Sequence, residues 1–87
     1  MLEEKVLTTP EIKSDEKYEG YFKITATAVN VRVKPGGNRK DKIAFVLMEG
    51  ETIFCDGKYA QANGEDYLLV GGGDSKGYIP VKFTKKL

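Results

Sequence analysis

Apolar and polar residues alternate along most of the chain from Tyr21 onward, which is the pattern of half-buried β-strands. Between residues 21 and 33, the apolar positions share one parity up to Ala28 and the other parity from Val29 onward. Neighbouring side chains of a strand point to opposite faces, so one buried set cannot continue across this step without a bulge or a bend. The pattern therefore predicts a strand that turns a corner, as strands of small barrels do.

Turn signals divide the rest of the chain into short segments. They lie at residues 35–38, 49–51, 56–57, 63–64 and 71–74. We interpret Asp56-Gly57 and Asn63-Gly64 as hairpin turns, because Asp-Gly and Asn-Gly favour the positive φ angles of two-residue hairpins. No window shows helical periodicity. Closely spaced turns between short alternating runs predict an all-β protein, a small barrel or a sandwich.

The first twenty residues differ in character from the rest. They hold six acidic residues and three lysines, with Pro10 in the middle and few large apolar side chains. Such a segment gains little from collapse against its chain entropy. We therefore predict a mobile, acidic N-terminal arm over residues 1–20 and a β-domain over residues 21–87. A short helix or an added edge strand over Leu2–Leu7 is the alternative.

The amino-acid composition excludes several kinds of catalytic and metal-binding site. The chain has 87 residues, a formal net charge of +1 and no His. Without His, there is no His general base, no catalytic triad of the usual kind and no His metal ligand. The single cysteine, Cys55, cannot close an intramolecular disulfide or form a cysteine zinc cluster, and we expect it to be a small buried hydrophobe. We predict a protein that is not an enzyme and needs no cofactor.

Four blocks of the sequence resemble, in order, the blocks of bacterial SH3 (SH3b) domains. Residues 28–35 (AVNVRVKP) resemble the opening LNVRSGP, and residues 43–55 (IAFVLMEGETIFC) resemble an apolar run followed by kkGdkvev. Residues 66–70 (DYLLV) resemble gWykV, and residues 77–83 (GYIPVKF) resemble the closing GWVpssYl. The four blocks follow one another in the family's order within residues 24–83, about two thirds of the chain. The chain is therefore similar to this family over most of the predicted β-domain.

The resemblance implies a fold and a type of activity. The fold is a small SH3-like antiparallel barrel of five to seven short strands, with a 3₁₀ turn near the C-terminus. Members of the family recognise ligands rather than react with them, and many bind peptidoglycan peptides beside cell-wall hydrolases. Tyr67 and Tyr78 stand where the family has tryptophans. This change leaves the expected fold in place and alters the surface that would meet a ligand.

We predict that Tyr67 and Tyr78 form a shallow ligand surface, because an amphipathic ring packs its body and leaves its hydroxyl in water. Alternatively, both rings belong to the core of the last hairpin. Arg32 or a residue of the basic loop (residues 34–42) is expected to meet a ligand carboxylate; the alternative for Arg32 is a surface ion pair. Asn30 shares its parity and either contacts the ligand or bonds to the backbone of a turn.

Two further aromatic residues complete the predicted ligand surface. Tyr59 lies in the same region of the sequence, and Phe54 alternates with Ile53 and Cys55, so Phe54 should point away from the core. Packing under the Asn63-Gly64 turn is the alternative for Phe54. We expect Phe83, which follows Pro80-Val81, to plug the end of the barrel.

The predicted function is non-catalytic binding of a peptide, either from the cell wall or from a partner protein. A structural subunit of a larger particle is the alternative, with the arm ordering on a neighbour. Nucleic-acid binding by the basic loop at Lys34, Arg39, Lys40 and Lys42 is less favoured, since the pI is about 7.8 and Asp41 interrupts the cluster.

The same sequence gives expectations about location. No stretch approaches the roughly 18 apolar residues of a membrane span, and Glu3 and Glu4 stand where a signal peptide would be basic. We expect a cytoplasmic protein, or a cell-wall-associated one if the chain is a piece of an exported protein. A phage or mobile-element protein is a further interpretation. The oligomeric state is left open.

Overall fold

The computed structural model describes residues 11–87. They form seven strands and one 3₁₀ turn, which spans Val81–Phe83. The strands are β1 (Lys13–Ile24), β2 (Ala28–Arg32), β3 (Ile43–Met48), β4 (Thr52–Ala62), β5 (Glu65–Gly72), β6 (Ser75–Pro80) and β7 (Thr84–Lys86). The predicted all-β class, the number of strands and the 3₁₀ turn near the C-terminus are confirmed.

The described strands form one antiparallel sheet in the order β3-β2-β6-β5-β4-β1-β7. Strands β3 and β7 are its edges, and the sheet does not close into a complete barrel. Its inner face nevertheless surrounds one core to which strands near both edges contribute. The buried members of this inner core are Tyr18, Phe22, Ile24, Val29, Val31, Leu47, Cys55, Leu68, Val70 and Ile79.

The change of parity between residues 21 and 33 coincides with a break between two strands rather than a bend within one. Strand β1 ends at Ile24 and β2 begins at Ala28, so the chain leaves the sheet for three residues. The backbone N–H of Ile24 donates to the carbonyl of Glu51 at 2.8 Å, and that of Thr25 donates to Phe83 at 3.0 Å. These bonds hold the connection between β1 and β2 in place. The apolar side chains of both strands therefore lie in the same core.

Strand β1 begins at Lys13, eight residues before the predicted start of the β-domain. Tyr18 lies within the segment predicted to be an arm, yet it is buried in the inner core. Between Ser14 and Glu19 the pairing with β4 shifts, so residues 15–18 form a wide irregularity in the strand. This irregularity breaks the alternation by which the sequence could have revealed the strand. The alternatives considered for Leu2–Leu7 lie outside the described residues.

The predicted hairpin at Asp56-Gly57 is wrong, whereas the one at Asn63-Gly64 is confirmed. Strand β4 runs through Gly57, which has a φ of 96°. This glycine lies opposite the irregular part of β1. A Cβ added there would lie 3.1 Å from the carbonyl oxygen of Asp15. Asn63 and Gly64, with φ angles of 53° and 77°, form the turn that connects β4 to β5. Glycine with positive φ serves bulges and hairpins alike, which explains the error.

The outer face of the sheet carries a second, smaller cluster. It consists of buried Ala60, Tyr67 and Tyr78, with Ala62 and Leu69 packed against them. Side chains alternate between the two faces along β5. Leu68 and Val70 therefore lie in the inner core, whereas Tyr67 and Leu69 lie at the outer cluster. Strands β4, β5 and β6 are therefore packed on both faces, and this outer cluster supports the candidate site.

Candidate ligand-binding groove

A groove of about 230 Å³ lies on the outer face, bounded by β2, β5, β6, the 3₁₀ turn and the loop after β2. We call it the tyrosine groove. Its lining residues are Ala28, Val29, Asn30, Arg32, Lys34, Gly37, Tyr67, Tyr78, Pro80 and Phe83.

The register of three strands brings the predicted residues together. Tyr67 pairs with Pro80, and Tyr78 pairs with Leu69 on one side and with Arg32 on the other. Residues directly opposite each other in an antiparallel sheet point to the same face, which places these side chains on one surface. Asn30 lies two residues before Arg32 and shares that face. Four of the six residues predicted to bind a ligand therefore line one groove.

The two tyrosine rings are packed and line the groove at the same time. Tyr67 is 6% exposed and Tyr78 is 8% exposed, and both belong with Ala60 to the outer cluster. Burial raises the pKa of the Tyr78 hydroxyl, which stays protonated at neutral pH. The core and the ligand-surface interpretations of these rings are thus compatible, because the outer cluster is the base of the groove.

Arg32 is held in place by the loop that follows β2. Its Nη1 donates to the carbonyl oxygen of Asp41 at 2.9 Å, and the side chain is half-buried. A neutral carbonyl leaves the guanidinium charge uncompensated, and four further N–H donors are left for other partners. Lys34 is exposed at the same rim. Among the described residues, no carboxylate lines the tyrosine groove, so its rim is positively charged.

The loop wall of the groove is fixed by several hydrogen bonds. Val33 N–H donates to the carbonyl of Lys42 at 2.9 Å, and Asn63 Nδ2 donates to the carbonyl of Gly36 at 3.1 Å. Gly37 has a φ of 68°, and a Cβ added there would lie 3.7 Å from the hydroxyl oxygen of Tyr67. The positive φ favours glycine at this position, and the loop lies within van der Waals distance of the ring, so it forms a wall of the groove.

The two other predicted residues lie elsewhere. Tyr59 contacts Tyr18 edge to face, with 4.9 Å between ring centroids, and packs against the inner core. Phe54 is 49% exposed and contacts Tyr21 with 5.2 Å between centroids. Phe54 therefore points outward, as its alternation with Cys55 predicts, but it does not line the tyrosine groove.

Sequence reasoning missed two lining residues that the C-terminal segment provides. Pro80 shares the parity of Tyr78 along β6, so the same alternation could have identified it. Phe83 was expected to plug a barrel end, but it is 37% exposed and lines the groove, with Lys82 Nζ 5.3 Å from its ring centroid. Phe83 is the last residue of the 3₁₀ turn. The alternation of strand residues does not predict which way a side chain points in such a turn.

The groove is lined by apolar side chains, one amide and two cationic side chains. Within residues 11–87, no Cys, Ser or Thr side chain lines it, and no group of three or more His, Cys, Asp or Glu could hold a metal ion. Cys55 is 1% exposed in the inner core, where burial raises the pKa of its thiol. Its buried position is as predicted. The groove provides apolar walls and cationic donors.

Comparisons with known proteins do not extend this description. No protein-family model matches the chain, and comparisons with curated proteins and with solved structures give no significant match. Within residues 11–87, no helix has the length and apolar character needed to cross a membrane. Function is therefore inferred from the geometry of the tyrosine groove.

Proposed function

We propose that the protein is a non-catalytic binding module that holds a short peptide in the tyrosine groove. The observation that carries this proposal is the combination of aromatic and proline walls with Arg32 and Lys34 at the rim. The four ordered sequence blocks support the further proposal that the domain is a bacterial SH3-like domain, with tyrosines in place of the tryptophans.

The size of the groove limits what it can hold. Pockets for drug-sized ligands occupy roughly 300–1,000 Å³. A groove of about 230 Å³ suits one or two amino-acid side chains. An apolar side chain would pack against Tyr67, Tyr78 and Phe83, and a neighbouring carboxylate would accept hydrogen bonds from Arg32. So small a contact should give dissociation constants in the micromolar to millimolar range.

Two sources can supply such a peptide. Cell-wall peptides and segments of partner proteins share the chemistry of a carboxylate beside an apolar side chain. The first arm of the test is co-sedimentation of the protein with washed peptidoglycan sacculi. The second arm is titration of ¹⁵N-labelled protein with a synthetic hexapeptide that has one leucine next to one glutamate, followed by NMR.

The variants Phe83→Ala and Lys34→Glu test the groove in both arms. Both side chains are exposed at its rim, so these changes spare the inner core. We expect each variant to weaken binding at least about fivefold, which corresponds to about 1 kcal/mol. Leu87→Ala and Lys85→Glu are matched controls, because both residues are exposed and lie outside the groove. They should bind like the unmodified protein.

The outcomes identify the source of the peptide. Pelleting with sacculi that Phe83→Ala reduces supports a cell-wall peptide. Hexapeptide binding without pelleting supports a partner protein, provided that the shifted resonances belong to groove residues. If neither probe binds at millimolar concentration, or if the controls weaken binding as much as the groove variants do, the proposal is wrong.

A further inference from the structure

A second groove lies on the same outer face, next to the first. Its volume is about 340 Å³. We call it the Phe54 groove. It is lined by Phe54, Asp56, Lys58, Leu69, Gly71 and Lys76. Phe54 is half-exposed there and is supported from the side by Tyr21, which is itself 59% exposed. The Phe54 groove therefore offers an accessible aromatic surface for an apolar side chain.

The two grooves share one wall. Leu69 lines the Phe54 groove and also packs against Tyr67 and Tyr78, which line the tyrosine groove. In the sheet, Leu69 pairs directly with Tyr78. The Leu69–Tyr78 pair thus lies between the two grooves, and a ligand that leaves one groove across this pair enters the other.

The geometry of β6 gives the distance between the edges of the two grooves along that strand. Lys76, Tyr78 and Pro80 are alternate residues of this strand, so they share the outer face. Lys76 lines the Phe54 groove, and Pro80 lines the tyrosine groove. Four residues at about 3.3 Å each place these two positions about 13 Å apart. An extended peptide covers this distance with about four residues.

The charges along both grooves have the same sign. Four cationic side chains line them, and Asp56 is the one carboxylate among the described lining residues; the four cations are Arg32, Lys34, Lys58 and Lys76. Asp56 lies 3.7 Å from Lys58, so these two charges compensate each other. The remaining excess is positive at both ends of the surface, which favours an acidic ligand.

We propose that the two grooves are adjacent subsites for one extended acidic peptide, with apolar side chains four positions apart and a carboxylate beside each. This inference rests on the proposed function and adds the length, spacing and charge of the ligand. The first apolar side chain enters the tyrosine groove beside Pro80, and the second enters the Phe54 groove beside Lys76. Linking two weak contacts in one ligand raises affinity, because the second contact becomes intramolecular.

Three synthetic octapeptides test the spacing. The two-anchor peptide has leucines at its second and sixth positions, each followed by glutamate, in a glycine-serine background. The one-anchor peptide replaces the second leucine by serine, and the short-spacing peptide moves that leucine to the fourth position. We expect the two-anchor peptide to bind about tenfold more tightly than either of the others, as measured by isothermal titration calorimetry or by NMR titration.

Variants of the protein then assign the gain to the second groove. With Phe54→Ala, the ratio between the one-anchor and two-anchor dissociation constants should fall from about ten to about one. Lys76→Glu should lower the same ratio, most strongly at low salt. Leu87→Ala and Lys85→Glu, which lie outside both grooves, should keep the ratio at its original value.

Failure of this inference can be told apart from failure of the proposed function. If the one-anchor peptide binds in the tyrosine groove but the two-anchor peptide binds no better, the second subsite is disproved while peptide binding stands. Equal binding of the short-spacing peptide, or a ratio that Phe54→Ala leaves at ten, also overturns the inference. Absence of binding by all three peptides contradicts the proposed function itself.

Discussion

Tyr18 links β1 to the β4–β5 hairpin through one hydrogen bond. Its hydroxyl donates to the Asp66 carboxylate, to which Gln61 Nε2 also donates at 3.0 Å. These two bonds, and above all the one from Tyr18, lower the pKa of Asp66. Burial and the same bond raise the pKa of Tyr18. At neutral pH the pair is therefore a phenol that donates to an ionised carboxylate, which is a charge-assisted bond.

Replacing Tyr18 by phenylalanine should cost about 1 kcal/mol of unfolding free energy at about pH 7, because the bond to Asp66 is lost while the packed ring is kept. A lowered folded-state pKa stabilises the fold above the ordinary value of 3.8, and that contribution is lost as the pH falls through the folded-state value. The difference between the two proteins should therefore shrink at about pH 2.5.

Urea unfolding at both pH values measures this effect. Tyr21→Phe is the matched control, because it removes a hydroxyl from a tyrosine that is 59% exposed and should leave stability nearly unchanged. A Tyr18→Phe deficit of equal size at both pH values would show that ionised Asp66 is not the source of the stabilisation.

At the scale of single residues, alternation was enough to bring most of the tyrosine groove together. Tyr67, Tyr78, Arg32 and Asn30 all lie in regular strands, where parity decides the face. Tyr59 was misplaced because a hairpin was predicted at Asp56-Gly57, whereas β4 continues through Gly57 and Tyr59 shares the parity of the buried Cys55. Local pattern gives orientation within a strand, whereas the choice of partner requires the register.

At the scale of elements, the crossing of β2 and β6 depends on a glycine. These strands share one register pair, Arg32 with Tyr78. A Cβ added at Gly77 would lie 2.6 Å from Val31 Cγ1 and 2.9 Å from the carbonyl oxygen of Arg32. Backbone and core side chains thus fill the space where a side chain would be, and the two halves of the sheet meet across this contact.

Gly77→Ala should therefore destabilise the protein by about 2–3 kcal/mol, since overpacking at a backbone contact forces the strands apart. Gly72→Ala is the matched control. Gly72 also lies in a strand, has no positive φ, and an added Cβ would meet nothing within 4 Å. It should change stability by no more than about 1 kcal/mol. Thermal unfolding of both variants measures the contrast, and equal losses would contradict the role given to Gly77.

Strand β3 is an edge, and its neighbourhood contains features that limit pairing with other chains. Val46 and Met48 are about half exposed on it. Glu51 Oε1 accepts a hydrogen bond of 2.7 Å from the N–H of Met48, and the register with β2 shifts after Val31. An occupied N–H and a bulge both make an edge a poorer template for a further strand.

Elements were predicted from the sequence more reliably where turns were short than where strands were irregular. The Asn63-Gly64 hairpin follows directly from its dipeptide. The first half of β1 does not, because its wide irregularity opposite Gly57 leaves Tyr18 as its main buried apolar residue. The irregularity of β1 is set by its pairing with β4, about forty residues further along the chain. A local sequence pattern therefore does not predict it.

At the scale of the molecule, strands far apart in sequence complete the fold. Strand β1 pairs with β4 on one side and with β7 on the other. Its partners in β7 are three residues, and the N–H of Leu87 adds a bond of 3.0 Å to the carbonyl of Tyr21. Lys86 Nζ also donates to the carbonyl of Lys17 at 3.0 Å. The C-terminal residues thus secure the N-terminal strand.

Removing residues 84–87 should expose the outer side of β1. We expect the amides of β1 to exchange with solvent about tenfold faster, which corresponds to about 1.4 kcal/mol of local stability. Leu87→Ala keeps the backbone of β7 and is the control. Hydrogen exchange followed by NMR measures both. Unchanged exchange in β1 after the deletion would show that β7 contributes nothing to holding this strand.

The pairing of β1 with β7 has a consequence for synthesis on the ribosome. β1 is made before its two neighbours, and the second neighbour, β7, leaves the exit tunnel after the six other described strands. Until then, the edge of β1 that pairs with β7, residues 22–24, is unpaired in the nascent chain. A slow stretch of translation before β7 would prolong the exposure of these residues, and a fast one would shorten the time during which chaperones can bind them.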